Sequence, residues 1–189
     1  MENKRTISQE VEDKIKKILE YIGEDCEREG LIDTPKRIIK SWNKLYGGYK
    51  QNASDVLKTT FVDGTCKELV MLKDIEFYST CEHHMLPFFG EIHIGYIPSR
   101  KVVGISKLAR LVEVFSRRLQ IQERLTTQIA ESIVKELETD SVIVVCEAQH
   151  FCMTSRGVEK QKSKMITSAI RGVFEKSEAR AEFISLIKG

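Results

Sequence analysis

Three prolines and eleven glycines in 189 residues leave no room for a long flexible linker or a Gly/Pro-rich repeat. No apolar run approaches the roughly 20 residues that a membrane helix needs. The first ten residues, MENKRTISQE, contain no apolar core of a secretion signal. Neither sign of charge dominates: 30 Lys and Arg face 28 Asp and Glu, a formal net charge of +2, which argues against a broad nucleic-acid footprint. The five cysteines, Cys26, Cys66, Cys81, Cys146 and Cys152, are an odd number, so they cannot all pair within the chain. With no export signal, they predict a reducing cytoplasm, where thiols serve as metal ligands, nucleophiles or core residues. Histidine is scarcer still: there are four, and two of them are adjacent. What is abundant is ordinary core material, at 41% hydrophobic, enough for one domain with a real interior.

The first third reads as helical. Thr6 and Gln9 fit a capping box, and Val11, Ile15, Ile18, Leu19 and Ile22 recur at helical spacing. Thr34 is suited to cap a second helix with Pro35 in its first position, an apolar stripe at Ile38, Ile39, Trp42, Leu45 and Tyr46, and a stop at Gly47-Gly48. The pattern then changes. Residues 69–79 and 88–97 are rich in β-branched and aromatic residues and predict strands. Ser106 suits the cap of a helix running to about Phe115. Ile121, Leu125, Ile129, Ile133 and Leu137 repeat every fourth position and mark a longer helix. Residues 141–153 and 165–174 predict two more strands, and Ser177 begins a closing helix carrying Phe183, Ile184 and Ile187. The order from residue 69 is strand, strand, helix, helix, strand, strand, helix. It predicts an α+β domain, residues 66–189, with an antiparallel four-stranded sheet and two helices on one face, after an N-terminal helical region, residues 1–65. A sheet this small has exposed edges, which assembly would cover.

The densest chemistry lies in Ser79-Thr80-Cys81-Glu82-His83-His84-Met85-Leu86-Pro87. Cys81 and His84 are three apart, so on a turn of helix both face one side and reach one ion. Strand 141–153 brings further ligands through its period of two, with Cys146, His150 and Cys152 facing alike. Cys146 sits among Val and Ala and reads as core. Cys81, His84 and Cys152 form a Cys–His–Cys set that leaves a fourth position open, the pattern of catalytic zinc. A closed set with His150 as fourth ligand fits the same residues. In the open reading, His83 and His150 flank the metal and move protons. His93, between Ile92 and Ile94, reads as an ordinary surface or sheet histidine.

Two further groups suit a nucleotide. Ser106 and Lys107 open a helix with Arg110 one turn on, a hydroxyl and two cations suited to phosphates. Arg156 follows the strand that carries Cys152. Gln122-Glu123 lies just inside a helix, where a carboxylate is favoured and can accept two hydrogen bonds from a planar N–H edge such as that of guanine. Solvated helix faces are the ordinary fate of such residues.

Together these segments resemble the zinc-dependent GTP cyclohydrolase I family. The similarity is carried by CEHHMLPFFGEIHIGYIP (81–98), GISKLARLVEVFSRRLQIQERLT (104–126), EAQHFCMTSRGV (147–158), TSAIRGVF (167–174) and EGLIDTPKRI (29–38). The resemblance implies the tunnelling fold, a toroidal homodecamer with sites between subunits, and hydrolysis of GTP to 7,8-dihydroneopterin triphosphate and formate. That reaction leads towards folate, biopterin or queuosine precursors. It implies zinc on Cys81, His84 and Cys152. His83, His150 and Ser106 become catalytic, and Lys107, Arg110 and Arg156, again with Ser106, contact ribose and triphosphate. Gln122 and Glu123 read guanine, and Glu82 orients a neighbour. Three rivals remain: a zinc-stabilised module without catalysis, a nitrile reductase on the same fold, and a phosphate- or nucleic-acid-binding protein.

Overall fold

The computed structural model describes residues 7–62 and 66–189. The capping box expected at Thr6 lies outside them. The chain divides into two compact units, one ending at Tyr46 and one running from Gly47 to Gly189. In the first, α1 (Ile7–Tyr21) and α2 (Thr34–Leu45) are amphipathic. Ile15 of α1 is buried, whereas Ile18, Tyr21 and Ile22 stay exposed. Asp33, not Thr34, takes the cap position of α2, and the Thr34 hydroxyl turns back to the Gly30 carbonyl at 3.4 Å. Pro35 falls in the first turn, where its missing N–H is no loss. The helix ends at Leu45, short of the glycine pair, which opens a 3₁₀ turn at Gly47–Lys50.

The second unit contains α3 (Ala53–Leu57), β1 (Thr60–Phe61), β2 (Val70–Cys81), β3 (Pro87–Tyr96), β4 (Val102–Val103), α4 (Ile105–Ser116), β5 (Leu119–Gln120) and α5 (Gln122–Leu137). It continues with β6 (Val142–His150), α6 (Phe151–Thr154), β7 (Met165–Arg171), a 3₁₀ turn at Gly172–Glu175 and α7 (Ser177–Lys188). The fold is α+β. Its main sheet has five strands in the order β5-β2-β3-β6-β7, and β1 pairs with β4 separately. Four strands are antiparallel as expected. The fifth, β5, pairs parallel with β2 at Thr80↔Leu119 and Cys81↔Gln120, which makes the sheet mixed. A two-residue strand has too short a pattern to be legible as one.

One face of the sheet is covered by α4 and α5. Leu108, Leu111, Val112, Leu125, Ile129, Ile133 and Leu137 interlock there with Ile92, Ile94, Val142, Val144 and Cys146. The other face is not left bare: α7 brings Phe183, and the 3₁₀ turn before it brings Phe174, against Ile143 and Val145. Helices therefore lie on both faces, a correction to the one-sided layering. The alternation of β6, whose residues are buried on both sides, is the cause. Gly95 is required here, since a Cβ on it would sit 2.6 Å from the Phe183 ring.

Two boundaries differ from expectation in ways that matter for the site. β6 ends at His150, and Cys152 sits on the single helical turn α6 rather than on the strand. α4 starts at Ile105 with Gly104 as its cap residue, so Ser106 lies inside the first turn. β7 likewise ends at Arg171, where Gly172 takes φ 64° to turn the chain.

Candidate active site

The end of β2 carries Cys81 into a tight turn. The Cys81 N–H donates to the Leu86 carbonyl (2.8 Å) and the Met85 N–H to the Cys81 carbonyl (2.8 Å), with Met85 at φ 53°. This closes Cys81–Leu86 into a loop from which neighbouring side chains diverge. Cys81, His84 and Cys152 converge, with one ligand atom from each lying within 4.8 Å of the others. The Cys81 Sγ to His84 Nδ1 separation is 3.8 Å. Tetrahedral zinc would hold S and N about 3.6 Å apart. The donor set fits a zinc ion, with two soft thiols and one imidazole. Burial, then the neighbouring Cys81 thiol, pushes the Cys152 thiol up, while Arg156 opposes this. A cation between the sulfurs would reverse that balance.

His83 is exposed and lies outside the converging set, its Nδ1 4.0 Å from Cys81 Sγ and its ring edge-on to His84. Arg156 reaches His84 Nε2 at 2.6 Å. Glu82 lies outside the converging set and pairs with Arg124, which also donates to Gln120 Oε1 (2.7 Å). The Glu82 N–H in turn donates to the Gln120 carbonyl (3.0 Å). The turn is thus tied to β5 and the start of α5.

His150 closes β6 opposite Phe88, whose ring lies flat on the imidazole at 4.6 Å and 4°. Its Nε2 meets Gln122 Oε1 at 2.8 Å. Burial pulls the imidazole below the ordinary histidine range, and the charge of nearby Glu123 partly offsets this. Glu123 itself is exposed in the first turn of α5, a helix whose N-terminal N–H groups have no side-chain cap. Gln122 behaves differently from its neighbour. It is wholly buried, and its carboxamide is spent inside the chain on Cys146, Met165, Thr167 and His150. Its side chain therefore has no edge left for a purine.

Ser106, Lys107 and Arg110 are not brought to this turn. α4 begins beside Tyr96, whose hydroxyl accepts from the Val103 N–H at 3.3 Å. Its far end leads through β5 to Cys81. Twelve helical residues cover about 18 Å, so Ser106 and Lys107 sit at the opposite end of the sheet from the thiols. The two groups are therefore apart within one chain.

Sequence reasoning missed Phe88 and Arg124. Only strand register reveals the first, and an exposed Arg in QER gives no signal of its Glu82 partner. His93 is a buried sheet residue and not a surface one. Its Nδ1 accepts from the Asp74 N–H (3.0 Å) at a bulge in β2 where Asp74 has φ 59°. Cys146 is core as expected, its thiol pushed up to about 12 by burial.

A mixed α+β domain that gathers two thiols and an imidazole beside a half-buried, oriented histidine has the equipment of a metal-assisted hydrolytic enzyme. The chain belongs to the GTP cyclohydrolase I family, whose profile matches residues 11–188. It is 58% identical over 189 residues to GTP cyclohydrolase 1 of Wolinella succinogenes, covering 100% of both chains. It is 55% identical over 170 residues to the protein of the same name from Helicobacter acinonychis, covering 89% of this chain and 94% of that one. Among solved structures, the apo form of the archaeosine synthase QueF-Like aligns over 55% of this chain and 93% of that one, with a TM-score of 0.45 and 21% identity.

Proposed function

We propose that this chain hydrolyses GTP to 7,8-dihydroneopterin triphosphate and formate, using a zinc ion held by Cys81, His84 and Cys152. The observation that carries the reading is the convergence of those three groups from the Cys81–Leu86 turn and α6, with one ligand atom from each within 4.8 Å of the others. A zinc ion held by these residues would supply Lewis acidity, enough to bring the pKa of water to about 7 and make hydroxide available for attack on C8 of guanine at neutral pH. The chain's own residues do the rest. His83, beside a ligand but outside the set, holds the proton for N7. His150 and Ser106 transfer protons at the ribose in the later ring closure. Glu123 accepts two hydrogen bonds from the guanine edge, and the uncapped N–H groups of α5 lie beside it. Gln122 contributes through this backbone and through His150, not through a side-chain contact with the base.

Lys107, Arg110, Ser106 and Arg156 bind the triphosphate, helped by the uncapped start of α4. Arg156 donates to His84 Nε2 in the free chain. Were His84 to hold the metal through Nδ1, its Nε2 would carry the ring proton, and Arg156 would be released to the phosphate. The separation of the thiols from Ser106 and Lys107 within one chain supports sites shared between copies, in a toroidal homodecamer of the tunnelling fold. The catalytic machinery lies in residues 66–189. Five free thiols suit the cytoplasm, and among the described residues no helix is long and apolar enough to cross a membrane. The test is incubation with GTP, following pteridine absorbance and formate with and without a chelator. Release of formate that the chelator stops is the expected result. No pteridine from zinc-loaded protein would overturn the reading.

A further inference from the structure

Gln122 presents an unusual balance for a residue at the mouth of a site: a polar side chain with 0% exposure and no unmet hydrogen bond. Donor and acceptor accounting fixes which way its amide points. Thr126 Oγ1 donates to the Gln122 carbonyl at 2.7 Å, so its lone pairs face Thr167 Oγ1 at 2.6 Å. Thr167 thereby gives its single hydroxyl proton to Thr126 and has only lone pairs for Gln122. The Gln122 nitrogen meets that oxygen at 3.2 Å and the Cys146 and Met165 carbonyls at 3.0 Å each. All three are acceptors, so the nitrogen cannot trade places with Oε1 without setting oxygen against two carbonyls. Oε1 therefore faces His150, and at 2.8 Å it accepts a proton carried by Nε2. Phe88, stacked flat on the imidazole, holds the ring plane in which this bond is straight. Among the described residues no hydrogen bond is found at His150 Nδ1.

We propose that Gln122 is the positioning residue of His150, locking the imidazole in its Nε2–H form so that Nδ1 is the one atom that accepts and returns a proton during turnover. This rests on the proton-transfer role given to His150 above. Gln122 acts through His150 and touches no reacting atom. Orienting groups of this kind weigh heavily, since the wrong tautomer of a catalytic histidine has cost about 10⁴-fold elsewhere.

Four histidines make the tautomer directly readable. In zinc-loaded protein labelled with ¹⁵N-histidine, the signals lost in His150→Asn identify His150. The expected spectrum at neutral pH has a protonated Nε2 and an unprotonated Nδ1. A protonated Nδ1, or an even mixture, overturns the proposal without touching the proposed reaction. One variant adds a kinetic readout. Gln122→Met keeps the length but removes the acceptor, and kcat should fall by at least about tenfold with KM little changed. The same labelled spectrum of Gln122→Met should show His150 as a mixture of tautomers, and an Nε2–H form kept there despite the lost acceptor would mark Gln122 as a merely structural residue. Parent-like turnover in His150→Asn would instead remove the proton-transfer role of His150, and this inference with it.

Discussion

Cys81, Glu82, His83 and His84 are consecutive, and a turn closed by two main-chain hydrogen bonds sends them to different tasks. Cys152→Ala should leave too few ligands for tight binding, and metal analysis should find zinc greatly reduced. Full occupancy would refute that ligand. His83→Ala should keep its zinc while turnover falls by about 10²–10⁴-fold, the range of a general acid–base group. Zinc lost in His83→Ala but kept in His84→Ala would mean the two imidazoles are exchanged. Glu123→Ala should keep zinc as well and lose most activity, because the guanine edge loses its acceptor. Much of this was legible at the residue scale. Spacing of three joins Cys81 to His84; the strand period that added Cys152 named the right thiol but the wrong element, since β6 stops at His150 and Cys152 reaches the set from α6. Gln122 was not legible: QE at a helix start looks like two equal polar residues, and only the fold puts one of them inside against Cys146 and Met165.

Among the elements, α5 joins the most functions. Its first turn grips His150 through Gln122 and the Cys81–Leu86 turn through Arg124, while Leu125, Ile129, Ile133 and Leu137, each at 0% exposure, anchor it to the sheet. Ile129→Ala should cost about 2–5 kcal/mol in denaturant unfolding, since a close-packed site relaxes only in part. A loss under 1 kcal/mol would show that the helix is not held by this stripe. The sheet makes a second prediction, through His93. Burial depresses its pKa, against the partial opposition of Asp74, and its Nδ1 must stay unprotonated to accept from the Asp74 N–H. A depressed folded pKa means the unfolded chain binds more protons, so stability is full above about pH 6.5 and is lost as pH falls through the folded value. His150 is depressed too and adds to the same acid limb. Unfolding midpoints from pH 7 to 5 should fall less steeply in His93→Asn than in the parent; an unchanged slope would exclude His93. The periodic stripe of α5 was plain from its fourfold spacing. The bulge at Asp74, the two-residue β5 and the return of α7 over the second face have no periodic signal, because they are set by strand pairing between distant segments.

At the scale of the molecule, the fold separates the groups that the proposed reaction would join. The thiols lie at the Cys81 end of the sheet, and Ser106 and Lys107 lie at the Tyr96 end, about a helix length away. A triphosphate held by the second group and a guanine held by the first would need those groups from two copies, arranged around a closed ring. Sequence motifs in series do not show this, since the chain order of CEHH and GISKLAR says nothing about which ends of the sheet they reach. Co-expression of Cys152→Ala with the double variant Lys107→Ala/Arg110→Ala tests it most directly. Each variant alone should be inactive, one for want of metal and the other for want of its phosphate contacts. If sites are shared, a random mixed oligomer pairs an intact metal half with an intact anion half in about one quarter of its sites. Pteridine formation at about a quarter of the parent rate is the result predicted. A mixed oligomer as inactive as either variant alone would contradict the account.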